Sequence, residues 1–188
     1  MSNGENPRWL MFLAQLPAAP SSGRVTLWRR LRAAGAAGFM TGAWVLPVRD
    51  EHTELLRRLA DTVRAQGGQA AVFTAQSVDD GDEAVVERFR ADRAREYAEF
   101  EVRGQALLTE IEKERRLEKF TFAELEEIED DLHKLTVWLA KIEARDFFPD
   151  GRRDAARKTL TVCETAQAGF AEDVYAHEGL GAPDETNP

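Results

Sequence analysis

Between Trp9 and Ala75 the chain alternates between strand-length apolar runs and helix-spaced apolar stripes, and few folds satisfy that order. "WLMFLAQL" is an apolar run of strand length, stopped by Pro17 and Pro20. "SSGRVTLWRRLRAAG" reads as a helix. Ser21 or Ser22 is placed to cap it, and Gly35 to end it in a left-handed conformation. Val25, Leu27, Trp28, Leu31 and Ala34 spread over one wide face. "AGFM" and "AWVLP" are two short strands around Thr41-Gly42, a tight hairpin or a bulged pair. "DEHTELLRRLADTVRAQGG" is a second helix, with Asp50 placed to cap it and Gly67 to stop it. Its stripe is Leu55, Leu56, Leu59, Ala60 and Val63, and "QAAVFTA" supplies a last strand.

The order β-α-β-β-α-β in about 75 residues predicts an α+β, ferredoxin-like arrangement, two helices on one face of an antiparallel four-stranded sheet. The second sheet face then needs cover from a partner, from nucleic acid or from the rest of the chain. That rest reads as helix alone. Tyr97, Phe100, Gly104, Leu107 and Ile111 alternate spacings of three and four, as a coiled-coil seam does. Thr121 and Glu124 make a capping box, and Phe120 with Leu125 suits the hydrophobic staple. Leu125, Ile128, Leu132, Leu135, Leu139 and Ile142 repeat the seam, so two antiparallel helices are expected. "DFFPDG" ends the second of them. A third helix follows from about Arg152 to Tyr175, with Ala156, Leu160, Cys163, Phe170 and Val174 on one side. The expected divisions are a ferredoxin-like domain over 1–78, a helical hairpin plus third helix over 79–178, and a disordered tail over 179–188.

The net charge of −9 conceals an asymmetry. Residues 1–75 hold nine Arg, no Lys and five Asp or Glu, a balance of +4; residues 76–188 balance at −13. A basic front part suits a phosphate backbone or the acidic part of another copy. With Trp28 and Leu31 taken as buried, Arg29 points nearly opposite and Arg30 and Arg32 flank it; Arg57, Arg58 and Arg64 add charge on the second helix. These five, Arg29, Arg30, Arg32, Arg57 and Arg58, are the candidates for binding DNA or an anion, since guanidinium groups contact phosphate oxygens bidentately. The plainer reading is a solvated face paired with the acidic helices. Trp28 and Trp44 are placed to stack on bases, but both lie in apolar runs, and core packing is the favoured expectation for them.

Little else suggests chemistry. His52, His133 and His177 lie in three different segments. Asp130 and His133 have the i, i+3 spacing of carboxylate-bridged metal sites, but no second copy of it exists, and solvated helix surface is the expectation. Cys163 reads as a small buried residue in a protein of a reducing cytoplasm. "GRRDAARK" is no phosphate loop, and no nucleophile elbow is present. The chain is therefore expected to be non-enzymatic, with no catalytic residue, cofactor or metal. No apolar run approaches the length of a membrane span.

"WLMFLAQLP", "VTLWRRLRAAGAAGFMTGAWVLP" and "FAELEEIEDDLHKLTVWLAKIEARDFF" together resemble the N-terminal region of the chromate-resistance regulator family ChrB, from about Arg8 to Phe148. The first part is also similar to the middle domain of phenylacetate-degradation repressors and to the small CRISPR spacer-integration subunit. Those domains are ferredoxin-like and dimeric. The resemblance implies a transcriptional regulator of a metal-oxyanion response, homodimeric and with DNA as a partner. It does not bring a nuclease: where the CRISPR relatives carry an aspartate after the first strand, this chain reads "AQLPAAP". The C-terminal chromate-response domain of longer ChrB proteins and the winged helix of the repressors are not among these segments. The competing expectation is an interaction module working through the acidic helical extension.

Overall fold

A computed structural model describes residues 8–18, 22–79 and 81–179. The sheet consists of β1 (Trp9–Gln15), β2 (Ala37–Met40), β3 (Ala43–Pro47) and β4 (Gln69–Ala75) in the order β2-β3-β1-β4, every pair antiparallel. The helices between them are α1 (Ser22–Ala33) and α2 (Asp50–Ala65), and α3 (Gly81–Arg116), α4 (Phe122–Glu143) and α5 (Gly151–His177) follow. This is the α+β order that the periodicity predicts. Two units pack separately: Met1–Arg93 with Arg145–Phe148, and Ala94–Ala144 with Pro149–Pro188. The first turns of α3 thus belong with the sheet, past residue 78.

Period-2 alternation sorts the strands of the first unit into two faces. Leu10, Phe12 and Leu46 point to one face and meet Leu31 of α1 and Leu56, Leu59, Ala60 and Val63 of α2. Gly35, Gly42 and Gly67 all hold positive φ, ending α1, closing the β2–β3 turn and ending α2. The turn is also bulged, with the register shifting between Gly38 and Met40. Asp50 does not cap α2. Arg49 holds the N-cap position in extended backbone without a side-chain cap, and Asp50 is the first helical residue. There its charge complements the helix dipole instead. Ser21, the tail beyond Gly179 and Pro20 lie outside the described residues; Ser22 is the first helical residue of α1.

The second sheet face is partly closed by the chain itself. Trp9, Ala37 and Val45 pack against Val85, Val86 and Phe89 of α3. Phe147 and Phe148 complete this layer after α4 has ended at Glu143. Phe89 lies 5.7 Å from Phe147 and 5.6 Å from Phe148, ring centre to ring centre. Phe147 also meets the buried His52 ring edge-on at 5.1 Å and carries the Arg49 guanidinium at 4.9 Å. The incoming segment passes directly over the end of α1. A Cβ at Gly35 would stand 2.9 Å from Cβ of Arg145, so this site excludes a side chain as well as requiring φ of +78°.

In the helical unit the three seams close on one core of Phe100, Leu107, Ile128, Leu135, Ile142, Phe170 and their neighbours. Arg157 pairs with Glu143 at 2.7 Å while Gln167 bonds Glu129, which sets α5 antiparallel to α4. Thr159 bonds Glu101 and Arg115 pairs with Asp173, so α3 and α5 run parallel. Gly104 and Cys163 let these two helices approach, with Sγ of Cys163 3.5 Å from the Gly104 carbonyl. The capping box at Thr121 is half formed. Thr121 Oγ1 accepts from the Glu124 amide at 3.3 Å, a contact worth about 1 kcal/mol. The Glu124 carboxylate turns to Lys119 instead of closing the box.

One buried carboxylate is expected to make this unit acid-sensitive. Glu114 is held by Lys113 at 2.9 Å and Lys119 at 3.1 Å, and Lys113 foremost pulls its carboxyl below the ordinary glutamate value of 4.5. Glu143, held chiefly by Arg157, is lowered too. Such a group contributes stability that is present above its unfolded value of 4.5 and is lost as pH falls from there through its lower folded value. The urea midpoint is expected to drop as pH falls below about 4.5, and Glu114→Gln to make the drop smaller. An identical drop in the variant would assign the acid response elsewhere.

Candidate nucleic-acid interface

α1 reads SGRVTLWRRLRA and holds four arginines with no acidic residue. Its buried side is narrow. Leu31 is fully buried and Leu27 partly so, one turn apart. Trp28 follows Leu27 by about 100° around the axis, which carries it off that side. Trp28 is 52% exposed, and Val25 is exposed beside it. The expectation that Trp28 packs in the core therefore fails: Leu27, Leu31 and Ala34 are the residues of this segment that pack over the sheet. Trp44 does pack inward, against the helix face, with its indole over Gly38.

The arginines then divide by what they touch. Arg29 points directly away from Leu31, Arg30 lies on one flank, and both are exposed with no ion pair among the described residues. Arg24 is exposed and unpaired in the same way, and its helix position is the one sequence clue to it. Arg32 is committed: it reaches Asp92 of α3 at 3.7 Å and its guanidinium lies 5.8 Å from the Trp28 ring centre. On α2, Arg58 pairs with Glu54 at 3.7 Å, and Arg64 pairs with Asp61 and bonds the Ala70 carbonyl. Arg57 is exposed and unpaired among the described residues. The basic plate of two helices thus contracts, since i, i+3 and i, i+4 acids neutralise most of α2. The remaining free charge is Arg24, Arg29 and Arg30, with Arg57 from α2.

Both helices lie on the same sheet face, and their ends fix their sense. Gly23 of α1 sits by Gln66 after α2, whereas Gly35 after α1 and His52 in the first turn of α2 both meet Phe147. The helices therefore run antiparallel, which brings the turn with Arg29 and Arg30 level with the turn holding Arg57.

The other candidates separate. Asp130 pairs with Lys134 at 2.8 Å rather than serving with His133, which is exposed. Cys163 is buried and free, its thiol pushed up by burial. No group of three His, Cys, Asp or Glu able to hold a metal occurs among the described residues. None of the described helices is long and apolar enough to cross a membrane.

The family model described as "Protein ChrB, N-terminal" matches residues 24–180. The chain belongs to this family. Its match starts after β1, in the first turn of α1, and runs through the Arg145–Phe148 segment to beyond the end of α5. Protein ChrB of Cupriavidus metallidurans is 34% identical over 96 residues. That alignment covers 50% of this chain and 29% of the relative, so the chain spans under a third of the length of the curated ChrB it matches. No solved structure matches the chain.

Proposed function

We propose that this ChrB-family chain is a non-enzymatic regulatory protein of chromate resistance that binds the phosphate backbone of DNA through α1. The observation that carries the reading is an acid-free helix on which Arg24, Arg29 and Arg30 have no ion-pair partner among the described residues. An interaction module working through its acidic helices would have these arginines paired internally; Arg32 alone is, with Asp92. A small oxyanion fits less well than an extended polyanion. Successive helix residues differ by about 100°, so Arg24, Arg29 and Arg30 radiate in different directions and do not converge on one ion. The test is binding of duplex DNA from upstream of its own operon at low salt. Detectable affinity that weakens when Arg29 and Arg30 are replaced supports the reading. Full affinity without them overturns it.

The chain is also proposed to be a homodimer. The uncovered part of the second sheet face shows Met11, Leu13, Phe39, Met40 and Phe73, and the register aligns Ala37, Val45, Met11 and Phe73 in one row. Neither that row nor the next, Met40, Ala43, Leu13 and Ala71, contains a charge. An uncharged strip offers nothing to DNA but is self-complementary about a two-fold axis. Light scattering at micromolar concentration should return twice the chain mass, and Phe73→Asp should return it to the monomer. A monomer mass for the unmodified chain contradicts the dimer.

A further inference from the structure

We infer that Trp28 is a base-stacking platform, so that α1 grips unpaired nucleotides in preference to a closed duplex; this rests on the phosphate-binding reading of α1. Residues four apart share a ridge on a helix, and here the ridge is Arg24, Trp28, Arg32. An indole more than half exposed thus stands on a ridge between two arginine positions, with exposed Val25 on the adjoining row. Arg32 is not free to serve a phosphate. Asp92, itself buried, holds it at 3.7 Å, and from there its guanidinium lies 5.8 Å from the indole centre. A fixed cation beside the ring limits the rotamers of Trp28 and keeps the ring presented before any ligand arrives.

The geometry suits a nucleotide. The indole offers a flat apolar surface that any base can stack on, while Arg24, one turn back, and Arg29, the next residue, are unpaired among the described residues and stand where flanking phosphates would run. In a duplex each base face is already stacked, so the indole gains nothing unless a base is unstacked. A membrane surface is a poorer occupant, because interfacial helices need a broad apolar face and α1 exposes only Val25 and Trp28 among its large apolar side chains.

The discriminating experiment compares three probes at equal phosphate number: a single strand of about 12 thymidines, an abasic deoxyribose-phosphate strand of the same length, and a duplex. The thymidine strand is expected to bind about tenfold tighter than the abasic one. Trp28→Ala should remove that difference while leaving abasic binding unchanged, and Trp28→Phe should retain part of it. Equal affinity for the thymidine and abasic strands would overturn the platform while leaving phosphate binding by α1 standing. No binding to any of the three would overturn both. Binding to phosphatidylserine vesicles with a Trp28-dependent blue shift, without binding to the strands, would replace nucleic acid by a membrane surface and overturn the inference.

Discussion

Trp9→Ala is expected to destabilise the sheet unit by about 3–5 kcal/mol, the range for deleting a large buried aromatic ring. Trp9 is almost fully buried on the second face of β1. It stacks on Phe89 at 6.0 Å with planes 13° apart, and Phe148 lies 6.0 Å away on another side. Its Nε1 donates to Oδ1 of Asp82 at 2.6 Å, which fixes the first turn of α3 against the strand. Deleting the ring opens a cavity beside Phe89 and Phe148 and strips Asp82 of a donor, leaving it Arg8 at 3.5 Å. Trp9→Phe keeps most of the packing and loses the hydrogen bond, so its cost should be nearer about 1.5–3 kcal/mol, the range for a hydrogen bond to a charged group. Urea denaturation measures both. A loss below about 1 kcal/mol for the alanine variant would mean that this layer is not a stabilising core.

Replacing Arg24, Arg29 and Arg30 together with Ala is expected to leave stability within about 0.5 kcal/mol, because exposed side chains without partners contribute little to folding. The effect on binding should be large. Each neutralised phosphate contributes about 0.9 to the salt exponent of the affinity. Three lost contacts make the slope shallower by about 2.7, which corresponds to roughly a hundredfold weaker binding near physiological salt. Phosphate contacts carry no base information, so the loss should be the same for promoter and unrelated DNA. The −13 of residues 76–188 opposes binding, because it repels the polyanion.

The strands, helices and turns were legible because each is set locally. Period-2 and period-3.6 apolar spacing marks the elements, and glycines mark the turns that need positive φ. Thr121 was legible as a cap for the same reason, although its Glu124 partner chose Lys119, five residues away. What escaped was non-local. Nothing in "EARDFFPDG" says that Phe147 and Phe148 leave the helical unit to close the sheet's second face, since the partners Trp9, His52 and Phe89 are distant in sequence. Asp92 claiming Arg32 is a contact of the same kind, 60 positions apart. The candidate site was half legible. Arg29, Arg30 and Arg32 stood out, and so did Arg57 and Arg58, but Arg24 did not, and an apolar neighbourhood in sequence made Trp28 look buried. The side of α1 that meets the sheet is held by Leu27 and Leu31, and Trp28, about 100° further round, lies off it.

The most direct test of the DNA-binding claim is a salt titration of the affinity for the promoter upstream of its own operon, run on the unmodified chain and on the Arg24→Ala, Arg29→Ala, Arg30→Ala variant. The account predicts that log affinity falls linearly with log salt and that the variant's slope is shallower by about 2.7. Undetectable binding at low salt, or an unchanged slope in the variant, would contradict it and leave those arginines as solvated helix surface.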